Sequence, residues 1–118
     1  MKFFYTLPWP PTLNHLYPTR RGRRVLSEEG KRFHESVAVL VLSQGRPRVP
    51  LDSRLRLELH AHVPDNRRRD LSNILKITED ALVRAGVMRD DSQLDEEHLY
   101  REPAEAPGRI EVSVEEIV

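Results

Sequence analysis

The chain has 118 residues, 38% of them hydrophobic and 32% charged, with nine prolines, five glycines and no cysteine, which suits one domain and leaves no room for two. Without cysteine there is no disulfide framework and no cysteine-ligated zinc, a composition compatible with a cytoplasmic protein, and the longest apolar run, the six residues Val37 to Leu42, is far short of the roughly 20 that cross a bilayer. Nineteen basic side chains cancel nineteen acidic ones, which argues against indiscriminate coating of nucleic acid, but residues 1–48 hold nine basic and three acidic groups and residues 49–118 hold ten and sixteen, a dipolar chain running from +6 to −6.

Phe3 to Leu7 reads as a first strand that Pro8 ends, with no secretory leader ahead of it. Pro8 to Arg24 shows no periodicity and reads as a long loop of the kind that carries function or moves. Ser27 followed by Glu28 and Glu29 starts a helix, because the hydroxyl caps free N–H groups and the carboxylates sit at the positive end of the dipole. That helix runs to about Ser43, before Gly45 and Pro47. Arg54 to Val63 alternates with period two and predicts a strand with Leu55, Leu57, Leu59, Ala61 and Val63 facing the core. From Asp70 the period changes. Leu71, Ile74, Leu75, Thr78, Ala81, Leu82 and Ala85 form one helical stripe, Asp70, Asn73, Ile77 and Asp80 a neighbouring face, and Gly86 the stop. Leu94 to Glu102 and Arg109 to Val118 predict two more strands. The expected fold is α/β, a single domain in the order βαβαββ, with one mixed sheet and two helices.

Three constellations carry charge in a pattern that suits chemistry. Arg67, Arg68 and Arg69 precede Asp70 where a core strand hands over to a helix. Asp70 reads equally as a helix cap and as a hard oxygen ligand for a divalent cation, with the arginines and the helix N-terminus holding phosphate. Asp90 and Asp91 precede Ser92 just past the same helix; adjacent carboxylates gain from a nearby cation, and Asp-Asp-Ser is also ordinary turn chemistry. Asp70 and Asp91 would suffice to anchor Mg²⁺ at a phosphodiester, since that ion takes few carboxylates and leaves the rest to water and phosphate. Arg20, Arg21, Arg23 and Arg24 around Gly22 suit either a solvated loop or a nucleic-acid backbone contact, with Tyr17 and Trp9 near enough in sequence to stack. His60 and His62 have ligand spacing on one strand face but no natural third ligand, so zinc is not expected.

A helix from Asp70 to Ala85 is roughly 22 Å long, and the steps from Gly86 to Asp91 return at most about 17 Å. Asp91 therefore meets Asp70 in the same chain only if that segment is almost fully extended; otherwise a second copy supplies it, and a homodimer is expected.

The series Leu7-Pro8-Trp9-Pro10-Pro11, Asn14, Tyr17, Ser27 to Gly30, Pro64-Asp65, Arg67 to Leu71, Asn73, Lys76, Asp80-Ala81-Leu82, Ala85-Gly86 and Asp90 to Gln93 resembles the RusA-type Holliday-junction resolvases over nearly the whole chain. The resemblance implies a homodimeric, Mg²⁺-dependent endodeoxyribonuclease, with Mn²⁺ as an alternative cofactor, common in phages and prophages, that cuts branched four-way DNA by paired nicks. It implies Asp70 and Asp91 as metal-binding catalytic carboxylates, Asp90 as a supporting acid and Lys76 as a catalytic or phosphate-stabilising cation, with Arg67, Arg68, Arg69 and Asn73 at the DNA. One position departs from the family's Asp-x-Asp-Asn pattern. Ser72 puts a neutral, weaker oxygen ligand where a carboxylate is expected, so a catalytically weak junction-binding protein is the alternative.

Overall fold

The computed structural model describes residues 1–118. Its frame is a four-stranded sheet in the order β1-β6-β4-β5, built from β1 (Lys2–Pro8), β4 (Leu55–His62), β5 (Leu94–Glu102) and β6 (Arg109–Glu116). β6 pairs antiparallel with both β1 and β4, while β4 and β5 run parallel. The parallel pair requires a crossover, and α3 (Leu71–Arg84) supplies it. α2 (Glu28–Gln44) lies beside α3 on the same face of the sheet.

Alternation decides which face is covered. Tyr5, Leu7, Leu55, Leu57, Leu59, Ala61, Ile110, Val112 and Val114 are buried beneath the helices, where they meet Phe33, Val37 and Val41 of α2 and Ile74, Ile77 and Leu82 of α3 in one cluster of 22 buried apolar residues. Each large aliphatic side chain so buried contributes about 1.5–3 kcal/mol. The opposite sheet face carries Arg56, Glu58, His60 and their neighbours and stays partly exposed.

The mixed sheet matches expectation, but the helix count rises from two to three. The stretch read as a loop, Pro8 to Arg24, contains α1 (Leu13–Leu16) and a hairpin of β2 (Thr19–Arg20) with β3 (Arg23–Arg24). Both elements are too short to show a period. Thr12 caps α1, accepting from His15 N, and the hairpin turns through Arg21 and Gly22 at φ of 53° and 74°, the left-handed pair of a type I′ turn. The boundaries also shift by a residue or two: β1 includes Pro8, tolerated because β1 is an edge strand, and β6 ends at Glu116 rather than Val118. Ile77, read onto a face neighbouring the apolar stripe, is 1% exposed, so the buried stripe of α3 is wider than the apolar spacing suggested.

Gly30 explains how the first turn of α2 seats on α1. A Cβ there would stand 2.8 Å from the Leu16 carbonyl, and it is that carbonyl which accepts the Ser27 N–H at 2.9 Å. The side chain of Ser27 then accepts from Gly30 N at 2.9 Å. The arginine hairpin, which lies between α1 and α2 in the chain, is thereby anchored on both sides.

Candidate active site

α3 leaves the C-terminal end of β4 and delivers the chain to the N-terminal end of β5. The residues just before and just after it therefore lie at opposite ends of the parallel pair. Asp70 is the first of these, Asp91 the second.

At the Asp70 end the turn is knitted by Asp65, which accepts from Arg67 N at 2.9 Å and pairs with Arg69 at 2.8 Å. Arg69 also donates to the Asp65 carbonyl, lies 5.6 Å above the Trp9 ring, and has its own carbonyl held by Arg101 at 2.8 Å. The three arginines thus separate by role: Arg69 shapes the turn, while Arg67 and Arg68 face solvent. Asp70 caps α3. Its Oδ1 accepts from Ser72 N at 3.0 Å and from the Ser72 hydroxyl at 2.7 Å, and Oδ2 has no protein partner. The two bonds from Ser72, helped by the Arg101 charge, hold the carboxyl below the usual carboxylate range. Cap and ligand are compatible roles, because one oxygen serves each. Asn73 is exposed and borders the same small cleft as Asp70, Arg68 and Trp9.

At the other end, Asp90 caps a 3-10 turn (Asp91–Gln93) in a reciprocal box with Gln93. Gln93 is buried and its amide donates to the carbonyls of Leu51 and Ser53, both at 2.9 Å. Hydrogen bonds from the side chain and N–H of Ser92 keep Asp90 ionised below the ordinary range. Asp90 combines this cap with a place beside Asp91 in the lining of an open cleft of about 490 Å³.

That cleft brings Asp90 and Asp91 together with Lys76, Glu79, Asp80, Arg84 and Arg24. Arg84 is paired with Asp80 at 3.0 Å, and Arg24 donates to the Tyr17 carbonyl at 2.6 Å; Lys76 has no acidic partner. Glu79 is the surprise, at 7% exposure with only carboxylates acting on it. Burial first, then Glu97 and Asp91, push its pKa up to about 8. The spacing of Ser72, Lys76 and Glu79 at i, i+4 and i+7 on one helix face was the signal available in the sequence.

A second network fixes the wall. The Tyr17 hydroxyl donates to Asp80 and lies 3.0 Å from His34 Nε2. Burial, with Arg84 adding to it, lowers the His34 pKa to about 4, so the ring is neutral. Its Nε2–H serves Tyr17 and Asp80, and Nδ1 keeps a buried lone pair without a partner.

Asp70 and Asp91 line different clefts, with Leu13 bordering both. No group of three or more His, Asp or Glu side chains converges as a metal cage. The donors present are hard oxygens with open positions, the free Oδ2 of Asp70 and the carboxylate of Asp91, and such a set fits Mg²⁺ or Mn²⁺ rather than a softer ion. Arg20, Arg21 and Arg23 project from the hairpin, exposed and without acidic partners.

Residues 8–115 match the family model described as endodeoxyribonuclease RusA. The chain is 35% identical over 115 residues to the crossover junction endodeoxyribonuclease of Enterobacteria phage 82, covering 98% of this chain and 95% of that protein. It is 36% identical over 112 residues to the crossover junction endodeoxyribonuclease RusA of Escherichia coli K12, covering 95% and 92%. The protein of the same description from Enterobacteria phage HK97 is 34% identical over 116 residues, covering 98% and 96%.

Proposed function

From the fact that the chain belongs to the RusA endodeoxyribonuclease family, we propose that it resolves four-way DNA junctions by paired nicks, in recombination and repair, as a homodimer that uses Mg²⁺ or Mn²⁺. The observation that carries this reading is the sorting of free charge: Lys76 and Asp91 face one cleft, Asp70 keeps an open oxygen with Arg68 in the lining of its cleft, and Arg20, Arg21 and Arg23 are exposed on the hairpin.

A divalent cation held here would polarise the scissile phosphate and lower the pKa of water beside it. Asp70 and Asp91 are the residues that would hold it. Lys76 supplies a fixed positive charge where negative charge grows on the phosphate oxygens, the kind of stabilisation that favours the transition state over the ground state. Arg67, Arg68, Arg20, Arg21 and Arg23 bind backbone phosphates, Asn73 offers an amide beside Asp70, and Arg69 and Arg24 hold the surfaces that present them. The separation of Asp70 from Asp91 supports a dimer, in which one copy's Asp91 completes the other's Asp70 site. Twofold symmetry then matches two equivalent sites to two equivalent strands.

The test is a synthetic four-way junction incubated with Mg²⁺ and with EDTA. Paired nicks in Mg²⁺ only are expected, and cleavage that persists in EDTA would refute the metal-dependent mechanism. Mixing Asp70→Asn with Asp91→Asn protein should restore a single functional site if the site is shared between copies; no recovery would place both carboxylates in one chain. The Ser72 hydroxyl at 2.7 Å from Asp70 favours a second reading, a junction binder with weak turnover, which a stable junction complex without nicks at any metal concentration would select.

A further inference from the structure

Glu79 is the one carboxylate of α3 that the fold buries, and neither the cap chemistry of Asp70 nor the ion pair of Asp80 explains it. Taking a carboxylate out of water without a cation beside it is costly, and an apolar side chain at this point of the helix would avoid that cost. Instead Glu79, only 7% exposed, lines the cleft that Asp91 and Lys76 share, and the two charged groups acting on it, Glu97 of β5 and Asp91 of the 3-10 turn, are both negative. A positive species beside the carboxylates, either a proton or a metal ion, relieves that cost.

We propose that Glu79 and Asp91 form a preformed two-carboxylate seat for the divalent cation, with Glu97 adding negative potential from β5. This rests on the metal-dependent nuclease reading and adds to it a ligand that the acidic motifs did not contain. Two carboxylates of one chain suffice to seat the ion, and the partner's Asp70 then completes the site. Mg²⁺ commonly takes one or two and fills its other positions with water and phosphate, so the seat needs no cage of three protein ligands, and none is present. The cleft, at about 490 Å³, has room for those waters and for a phosphate. Lys76 stands one turn before Glu79 on the same face, placed to meet the phosphate from the other side. Ser72 lies one further turn toward the N-terminus and brings no charge to that face, whereas Glu79 does.

Direct cation binding tests this apart from activity. Cation-free full-length protein is titrated with Mn²⁺ while free Mn²⁺ is followed by electron paramagnetic resonance, and melting is recorded with EDTA and with Mn²⁺. Wild type should bind Mn²⁺ and melt higher with it. Glu79→Gln and Asp91→Asn should each weaken binding on the order of tenfold or more, and Glu97→Gln should weaken it less. In EDTA, Glu79→Gln should melt at or above wild type, which shows that it is folded. Wild-type Mn²⁺ affinity in Glu79→Gln overturns the seat and leaves the nuclease reading standing, because the cation then binds elsewhere. No Mn²⁺ binding by wild type overturns a preformed seat and identifies a proton as the species between the carboxylates, whereas it is cleavage in EDTA that overturns the nuclease mechanism. Should Glu79→Gln fail to fold, Glu79→Asp retains the charge but withdraws it by a methylene; a several-fold loss of affinity supports the seat, and wild-type affinity refutes it.

Discussion

The two ends of the α3 crossover hold the same kind of side chain in opposite electrostatic states. At the N-terminal end Asp70 is exposed, bonded twice by Ser72 and faced by Arg101, and its carboxyl titrates below the ordinary range. Toward the C-terminal end Glu79 is buried among carboxylates and its pKa rises to about 8. One end is an exposed anion with one oxygen bonded and one open; the other is a buried carboxyl crowded by like charges. The difference teaches that helix position alone does not determine what a carboxylate does. Asp70 meets N–H groups because it precedes a first turn, whereas Glu79 meets Asp91 and Glu97 because the return segment and β5 fold back against that part of α3.

The largest expected effect tests whether both ends are needed for one reaction. Asp70→Asn and Asp91→Asn should each lower junction cleavage by at least about a hundredfold while junction affinity stays within a few-fold, since the arginines supply most of the phosphate attraction. Single-turnover cleavage with a parallel gel-shift titration checks it, and wild-type cleavage by either variant removes that residue from the site.

Removing the hairpin charge comes next. Arg20→Ser, Arg21→Ser and Arg23→Ser combined should weaken junction binding and reduce the slope of log affinity against log salt by roughly 2 to 3. The measure is a binding series between low and moderate salt, and an unchanged slope would mean that the hairpin points away from DNA. Ser72→Asp should lower the Mg²⁺ needed for half-maximal cleavage if Ser72 borders the cation. If it is only a first-turn residue, the change adds a few tenths of a kcal/mol through the helix dipole and leaves the metal dependence alone.

The smallest effect is on stability against pH in EDTA. Glu79 titrates at about 8 in the folded chain against an ordinary 4.5, so its contribution is complete below the ordinary value and is lost as pH rises through about 8. Asp70 is lowered from 3.8, so its contribution is present above that value and is lost as pH falls below it. Wild type should lose melting temperature relative to Glu79→Gln between pH 5 and pH 8.5, and parallel curves would show that Glu79 gains no proton on folding.

The long elements were legible because period and burial agree in them. Leu55 to His62 alternates and alternates in burial, and Ser27, Gly45 and Gly86 punctuate helices where caps and positive φ require them. α1 and the arginine hairpin were not legible, since four residues and two pairs of two give no periodic signal, although Arg21-Gly22 held the turn chemistry. Of the candidate site residues, Lys76, Asp90 and Asp91 do share a cleft, while Arg69 is tied into a turn by its own hydrogen bonds. Glu79 escaped because a Glu between Thr78 and Asp80 reads as solvated surface; only the fold of residues 86–97 against the helix makes it interior.

The strand order leaves two open flanks of very different chemistry. β5, the sequence LDEEHLYRE, carries charge along most of its length, which discourages a stray strand from adding to it. β1, KFFYTLP, is the adhesive one, with Phe4 55% exposed. Lys2 at one end and Pro8 at the other bracket its aromatic run like gatekeepers, and Pro8 offers no amide to extend a ladder. Resistance to edge-to-edge aggregation thus rests on density of charge at one flank and on two terminal residues at the other.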